Sequence, residues 1–506
     1  MTNKKRFALL VPIIAMLLLA AACSSPETGT APRTKLKGET VPISIIANLH
    51  TPTVPSDRIE KIMEEATGTQ LNIQWVPDGS YEERVNAAVA TETLPQAVFL
   101  KNSASLMQFR GAIRDGQFWE IGPLLDEFPN LARLSDEVLR NTSVDGRIYS
   151  LYQERPLSRQ GIIYRADWAE RLGLSAPSSL DKLYEMLERF TNGDPDGNGR
   201  KDTIGLADRS DLVYGAFKTI ASYFGVPNGW EEEGGKLKPE FMFPEYVAAM
   251  NFVRKLHQEG LVNEDFPVMG KADQQELFIQ GKAGVYIGSL SDVVSLHAKL
   301  TKNNPDAKLD MHNRVTGPEG ERVWSTPGYG AVVLFPKSAI PDDKRLMEVL
   351  AFFDKLMEPE LANMLNWGIP GEHYELIDGK VVQSPDYERL NKESRPYLSM
   401  QVGGPGSIPG FLEAGSTLPV RLKSEKLVKD NESILVHDPT AALDSATFND
   451  IGERLQDIIT DATYHYMIGM MTEKEFGAEV ERWKKEGGDR IIREFNEALS
   501  KQRKAL

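Results

Sequence analysis

The chain has a single cysteine, Cys23, in 506 residues, and that scarcity excludes an intrachain disulfide framework. Its seven histidines (His50, His257, His297, His312, His373, His437 and His465) are scattered at no metal-ligand spacing, so they outline no zinc or transition-metal centre. Neither a GxSxG elbow nor a phosphate-binding loop occurs, which removes two readable enzyme signatures. Carboxylates are so numerous that a pair for glycoside hydrolysis can be drawn almost anywhere, and such a pair means nothing. Cations are outnumbered: 58 Lys and Arg face 73 Asp and Glu, for a formal net charge of −15. That balance argues against nucleic acid, which demands basic stripes. It leaves room for an anionic small ligand, because a few arginines in a cleft outweigh a distant surface field. No internal repeat is visible. After residue 22 no apolar run comes near the roughly 20 residues that span a bilayer as a helix.

What is present begins with a leader. Lys4, Lys5 and Arg6 precede an apolar run of 16 residues, Phe7 to Ala22, which ends at Cys23-Ser24-Ser25. The run is too short for a permanent span, and small residues at Ala20, Ala21 and Ala22 mark it as a cleavable export signal, residues 1–22. A signal that stops at the only thiol resembles the lipobox of bacterial lipoproteins. That likeness implies a diacylated, palmitate-type anchor on Cys23, although Leu19 stands one place earlier than the usual pattern. Residues 23–36, rich in Ser, Pro, Thr and Gly, read as a flexible tether. The protein is then expected at the extracellular face of the cell membrane, held by lipid. Loss of the leader cations takes the charge to −18.

About 470 residues remain, too many for one core and suited to two lobes. Val41 to Ala47 is a buried-strand candidate, and Arg58 to Ala66 places Ile59, Ile62, Met63 and Ala66 on one helical face. Leu71 to Val76 alternates as a strand, which completes a βαβ unit and implies a parallel sheet. Tyr81 to Ala90 reads as a helix and Ala97 to Leu100 as a strand. Pro177 to Leu180 begins a helix with Ser178 as cap and Asp181 three residues on; Leu180, Leu183, Leu187 and Phe190 line its apolar face. Tyr329 to Phe335 is a strong strand, followed by one long helix from Asp342 to Asn366. From Phe448 onward the chain is mostly helical.

Four phrases together resemble one family: Asp145-Gly-Arg-Ile-Tyr149, Tyr164-Arg-Ala-Asp-Trp168, Phe278-Ile-Gln-Gly-Lys-Ala-Gly284 and Trp367-Gly-Ile-Pro-Gly-Glu-His-Tyr-Glu-Leu376. They are similar to the family 1 extracellular solute-binding proteins of ABC importers, in the LipO-like lipoprotein branch, which includes binders of uronate oligosaccharides. The likeness runs from about Ile43 to the final helices. It implies an α/β, two-lobed periplasmic-binding-protein type 2-like fold with an interlobe ligand cleft. It also implies a non-enzymatic, monomeric receptor that delivers a carbohydrate to permease subunits in the membrane. The lobes are expected as 37–155 with 330–370, and 156–329 with 371–506, with crossings in Tyr149 to Tyr164 and near Gly328 to Leu334. An extracellular polysaccharide-degrading enzyme and a structural surface lipoprotein are the alternatives.

Asp194-Pro-Asp-Gly-Asn-Gly-Arg-Lys-Asp202 carries oxygen side chains at Asp194, Asp196, Asn198 and Asp202, with Gly199 at the sixth position, as in an EF-hand calcium loop. Arg200 would offer its backbone carbonyl. Gly205 stands where the bidentate glutamate belongs, and Thr203 where some alginate-binding relatives have an acid. A solvent-exposed turn explains the same residues. For the sugar, apolar ring faces call for aromatics, and Tyr152, Trp75, Trp230, Trp324 and Trp367 lie in or beside predicted loops. Trp168 reads as core. Arg165 is placed either to fork a ligand carboxylate or to pair with Asp167.

Overall fold

The computed structural model describes residues 40–505. The signal peptide, Cys23 and the tether lie outside the described residues. Strand Val41–Leu49 buries Ile43, Ile45, Ile46 and Ala47 together, because it runs inside a sheet covered on both faces and so needs no polar alternation. The helix Arg58–Thr67 returns over it with Ile59 and Met63 inward, and Gly68 in the left-handed region closes it. Strands Thr69–Pro77 and Ala97–Leu100 then pair in parallel with opposite edges of Val41–Leu49. Tyr329–Leu334 joins antiparallel to Ala97–Leu100, and Ser150–Glu154 completes the five-stranded sheet.

The second lobe is built on a four-stranded sheet in the order Leu309–His312, Gln160–Arg165, Ala283–Ser289, Ile204–Ala207. One face packs Trp168, Leu187, Phe190 and Val285 with residues of the last helices, including Leu455, Ile459, Phe476, Trp483 and Phe495. The other face buries Ile163, Tyr286, Met311, Leu296 and Leu300. Trp168 is a core residue, edge to face with Phe190 at 5.4 Å.

Two crossings lie side by side. The first, 155–159, joins Ser150–Glu154 to Gln160–Arg165, and the second, 325–328, leads into Tyr329–Leu334. They are bonded to each other: the Arg155 amide donates to the Gly328 carbonyl at 2.9 Å, and the Thr326 amide to Leu157 at 2.6 Å. Gly328 is required here. Its φ is +83°, and a Cβ would sit 2.7 Å from Leu157 Cδ2.

Three expectations need correction. Tyr397, Met400, Val402 and Ile408 lie in the first core, so residues 371–411 belong with the first lobe. The chain goes over to the second lobe just before helix Pro419–Asp430, whose Val420, Leu427 and Val428 pack there. The helix expected from Asp342 to Asn366 is two helices, Asp343–Leu356 and Pro359–Trp367, because Pro359 cannot continue the first and instead opens the second at its first turn. The cap of Leu180–Asn192 is Ser179, whose hydroxyl accepts from the Lys182 amide at 3.2 Å; Ser178 lies one residue too early.

Candidate functional site

A cleft of about 1020 Å³ opens between the lobes. Its first-lobe wall is the helix Ser103–Arg114 together with Glu137, Asn141 and Tyr329. The second-lobe wall holds Tyr214, Lys218, Trp324, Asp438 and Tyr464. Tyr214 is 53% exposed and meets Trp324 edge to face at 5.6 Å. Trp324 is itself buried, its indole N–H donating to Thr219 Oγ1 at 3.1 Å, so Tyr214 is the ring that a ligand meets. Lys218 lies 5.6 Å from the Trp324 ring and 3.3 Å from Glu240. Burial pushes the Asp438 carboxyl up, while the Thr440 amide and hydroxyl hold one of its oxygens at 2.8 and 2.6 Å.

Bonds also cross the gap. Arg110 donates to the Leu443 and Ala441 carbonyls at 2.6 and 3.2 Å. Arg114 forks onto Asp145 at 2.9 Å and reaches Asp444 at 2.5 Å. His437 Nδ1 lies 2.8 Å from Glu137 Oε1.

Of the aromatic candidates the structure brings Trp324 and Trp230 to the cleft, the latter buried against Phe495 at 5.0 Å. The others are elsewhere. Tyr152 is fully buried in the first sheet, its hydroxyl accepting from the Ser135 amide at 2.8 Å. Trp75 stands edge-on to Tyr397 at 5.4 Å, and Trp367 donates to the Leu412 carbonyl at 3.0 Å. Arg165 is 3% exposed and forked onto Asp167 at 2.8 and 2.5 Å, with its guanidinium 4.6 Å from the Trp168 ring. Its geometry is that of a structural pair, and no ligand carboxylate could reach it. Tyr214 escaped sequence reading. Its signal is a lone aromatic in the polar loop that follows a strand's carboxyl end.

Residues 54–362 match the model of the bacterial extracellular solute-binding protein family, more than half of the chain. The chain belongs to that family. It is 42% identical over 504 residues to the polygalacturonan/rhamnogalacturonan-binding protein YtcQ of Bacillus subtilis (strain 168), covering 99% of each chain. It is 34% identical to lipoprotein LipO of the same organism, covering 98% of each. Among solved structures, a solute-binding protein of Bifidobacterium longum infantis associated with an HMO-binding ABC transporter matches with a TM-score of 0.71 at 16% identity, over 92% of this chain and 99% of that one. The alginate-binding protein AlgQ2 without calcium ion matches at 0.62 and 17%, over 91% and 98%. An EF-hand mutant of Streptococcus pneumoniae FusA matches at 0.58 and 19%, over 92% and 100%. These structural likenesses carry the fold, and membership makes the chain a solute binder, not an enzyme.

The acidic loop lies on the second lobe, just ahead of strand Ile204–Ala207, and none of its residues lines the cleft. The Gly199 amide donates to both Asp194 oxygens at 3.2 Å. The Asn198 amide nitrogen bridges Asp196 at 2.7 Å and Asp202 at 3.1 Å, and Lys282 reaches Asp202 at 3.2 Å. Asn198 first, then Lys282, hold the Asp202 carboxyl below the usual carboxylate range. Among the described residues no three carboxylates close into a metal-holding cluster. The donor types still fit a hard cation, provided Asn198 turns its oxygen inward. A bidentate twelfth ligand has no room: a Cβ on Gly205 would lie 2.5 Å from the Leu187 carbonyl, and Thr203 is buried, donating to Phe190 at 2.8 Å.

Beside the cleft loop, burial pushes Asp208 up to about 6, against the pull of the Ala216 amide at 2.8 Å and of Arg209. Asp211 adds to the rise. The folded state therefore holds this proton more tightly than the unfolded chain does. The stability it contributes is full below about pH 4 and is lost as pH rises through about 6. Asp208→Asn keeps an acceptor for Ala216 and removes the ionisation. Urea unfolding from pH 4 to 7 should show wild type losing roughly 2–3 kcal/mol relative to this variant. Parallel profiles would refute the assignment.

Proposed function

We propose that the chain is the lipid-anchored receptor of an ABC importer for carbohydrate, taking a uronate-containing oligosaccharide into the interlobe cleft and presenting it to a separate permease. The observation that carries this reading is the exposed Tyr214 ring backed by Trp324, set in a wall of amides, hydroxyls and charges. Sugar rings offer apolar CH faces to such a ring and hydroxyls to the polar groups around it. The polygalacturonan/rhamnogalacturonan binding in YtcQ's name supports a pectic fragment as ligand. LipO's name as a lipoprotein supports the anchor on Cys23. Among the described residues no helix is long and apolar enough to cross a membrane, which accords with a receptor held by lipid and a transport path supplied by partners.

Calorimetric titration of the purified protein with trigalacturonate tests the main claim. Saturable binding is expected, the sugar is recovered uncut, and Tyr214→Ala weakens the affinity roughly tenfold, the worth of one lost ring contact. New reducing ends or unsaturated products would instead favour the degrading enzyme.

The anchor is tested by feeding labelled palmitate to expressing cells. Label should enter wild type and be absent from Cys23→Ser; equal labelling of both removes the lipobox reading.

Calcium bound by Asp194, Asp196, Asn198, the Arg200 carbonyl and Asp202 would staple the loop to the second lobe. The alginate-binding protein AlgQ2, whose structure is of the form without calcium ion, and the EF-hand mutant of FusA support such a site in relatives. Chelation should lower the melting temperature of wild type and leave Asp194→Ala/Asp196→Ala unchanged. A wild type indifferent to chelator is the outcome expected of a bare turn.

A further inference from the structure

A second pocket, of about 230 Å³, opens on the first lobe beside the crossings, lined by Asn48, His50, Lys101, Gln153, Arg155 and Leu398 among others. Its floor is the carboxyl ends of Val41–Leu49 and Ala97–Leu100. These two strands are neighbours, yet the chain leaves the first toward Thr69–Pro77 on one side before it returns to the other. Where the connections of a parallel sheet diverge in this way a crevice forms, and open α/β sheets bind their ligands there.

Within this pocket Arg155 is the unpaired cation. Among the described residues it has no ion pair and no side-chain hydrogen bond, and the charge that perturbs it is the cation of Arg159. Lys101, by contrast, is answered by Asp78 at 3.1 Å. Arg155 is an exposed residue, yet partial burial, then Arg159, pull it below the ordinary guanidinium value. A bulge makes its seat. Tyr329 pairs with Glu154 and Val332 with Tyr152, so Gly330 and Ala331 together face Gln153. Bulges of this kind re-aim side chains. Gly330 leaves room for the guanidinium, since a Cβ there would lie 2.9 Å from Arg155 Nε.

Two acceptors complete the lining. Asn48 spends its amide nitrogen on Asp78 at 2.9 Å, and its oxygen is buried without a partner. Gln153 spends its nitrogen on the Leu398 carbonyl at 3.0 Å, which leaves its oxygen beside Gly330. The pocket thus offers an unanswered planar cation, a second cation already paired with Asp78, and free oxygen acceptors. That set matches one acidic sugar unit, with a carboxylate for the fork and hydroxyls for the acceptors.

Building on the oligosaccharide-receptor reading above, we infer that this pocket reads the acid group of the ligand: Arg155 grips a uronate carboxylate with both arms of its fork, Lys101 stands by as the second cation, and Asn48 accepts a sugar hydroxyl. Arg155 is then a specificity-determining residue. The test is titration of the full chain with trigalacturonate and with its methyl ester, at low and high salt. Wild type should bind the acid at least tenfold more tightly than the ester, with the preference shrinking in salt. Arg155→Gln should lose that preference, its affinity for the acid falling to that for the ester. Arg155→Lys, which preserves charge and fold but not the fork, should lose most of it, and it decides the matter if the glutamine variant does not fold. Equal affinity for acid and ester in wild type, or a full preference in both variants, overturns the assignment while leaving carbohydrate capture intact. No binding of either sugar overturns the receptor reading, and this assignment with it.

Discussion

The position of one strand, Tyr329–Leu334, governs the rest of the molecule. It lies between Ala97–Leu100 and Ser150–Glu154 and is antiparallel to both, so the chain must come home from the second lobe into the middle of the first sheet. Because its neighbour is the strand from which the chain departs, the outgoing and returning segments run together. Their mutual amide–carbonyl bonds make them a paired ribbon, stiffer than two free linkers. The same adjacency brings Arg155, the first residue of one crossing, against Gly330, just past the end of the other. Hinge and candidate acid-reading group are therefore consequences of a single strand order.

The electrostatics follow a division of labour. The protein is acidic overall, and many of its cations are answered: Arg165 by Asp167, Arg209 by Asp211, Arg314 by Asp430. Buried Asp208 and half-buried Asp438, at the cleft, are pushed toward their neutral forms by desolvation, which suits them to hydrogen bonding more than to charge. Against that background an unanswered guanidinium in a recess has a focused local field, strong at short range and hidden at long range by the surface. Attraction of an anion to such a site is a matter of the last few ångströms.

Much of the fold was legible because local periodicity and tertiary burial agree. Arg58–Thr67, Tyr81–Ala90 and Ala97–Leu100 fall where spacing placed them. The failures have nameable causes. Two hairpins, Trp230–Pro239 and Tyr374–Gln383, carry Gly234-Gly235 and Asp378-Gly379 turns with both residues at positive φ, but the strands beside these turns are short and charged and so carry little strand signal of their own. The acid-loop residues could be read as an oxygen-donor pattern, but the blocked space at Gly205 depends on a distant carbonyl that no local pattern reveals. Candidate ligand aromatics were misplaced for a related reason. Trp75 and Trp367 sit at the ends of elements, as binding residues do, yet a tryptophan's area is most often spent on packing, and only the assembled lobes distinguish the two uses.

The contacts across the cleft bear on how such a molecule would close. Glu137 and His437 are 36% and 48% exposed, and a pair of that kind contributes at most about 1 kcal/mol. Arg114–Asp444 is better sheltered but shares its arginine with Asp145 on the same lobe, so separation of the lobes does not strand the charge. Arg110 loses more, since its bonds to the Leu443 and Ala441 carbonyls have no substitute on its own lobe and its Nε is already buried without a partner. The interlobe bonds therefore amount to a few modest terms around one arginine, set against a ribbon hinge that constrains direction. An equilibrium built on terms of this size is near balance, and a ligand tips it only by the contacts it makes with both walls at once. A ligand seated on Tyr214 of the second lobe that also touches the first-lobe wall meets that requirement, whereas one held by a single wall does not.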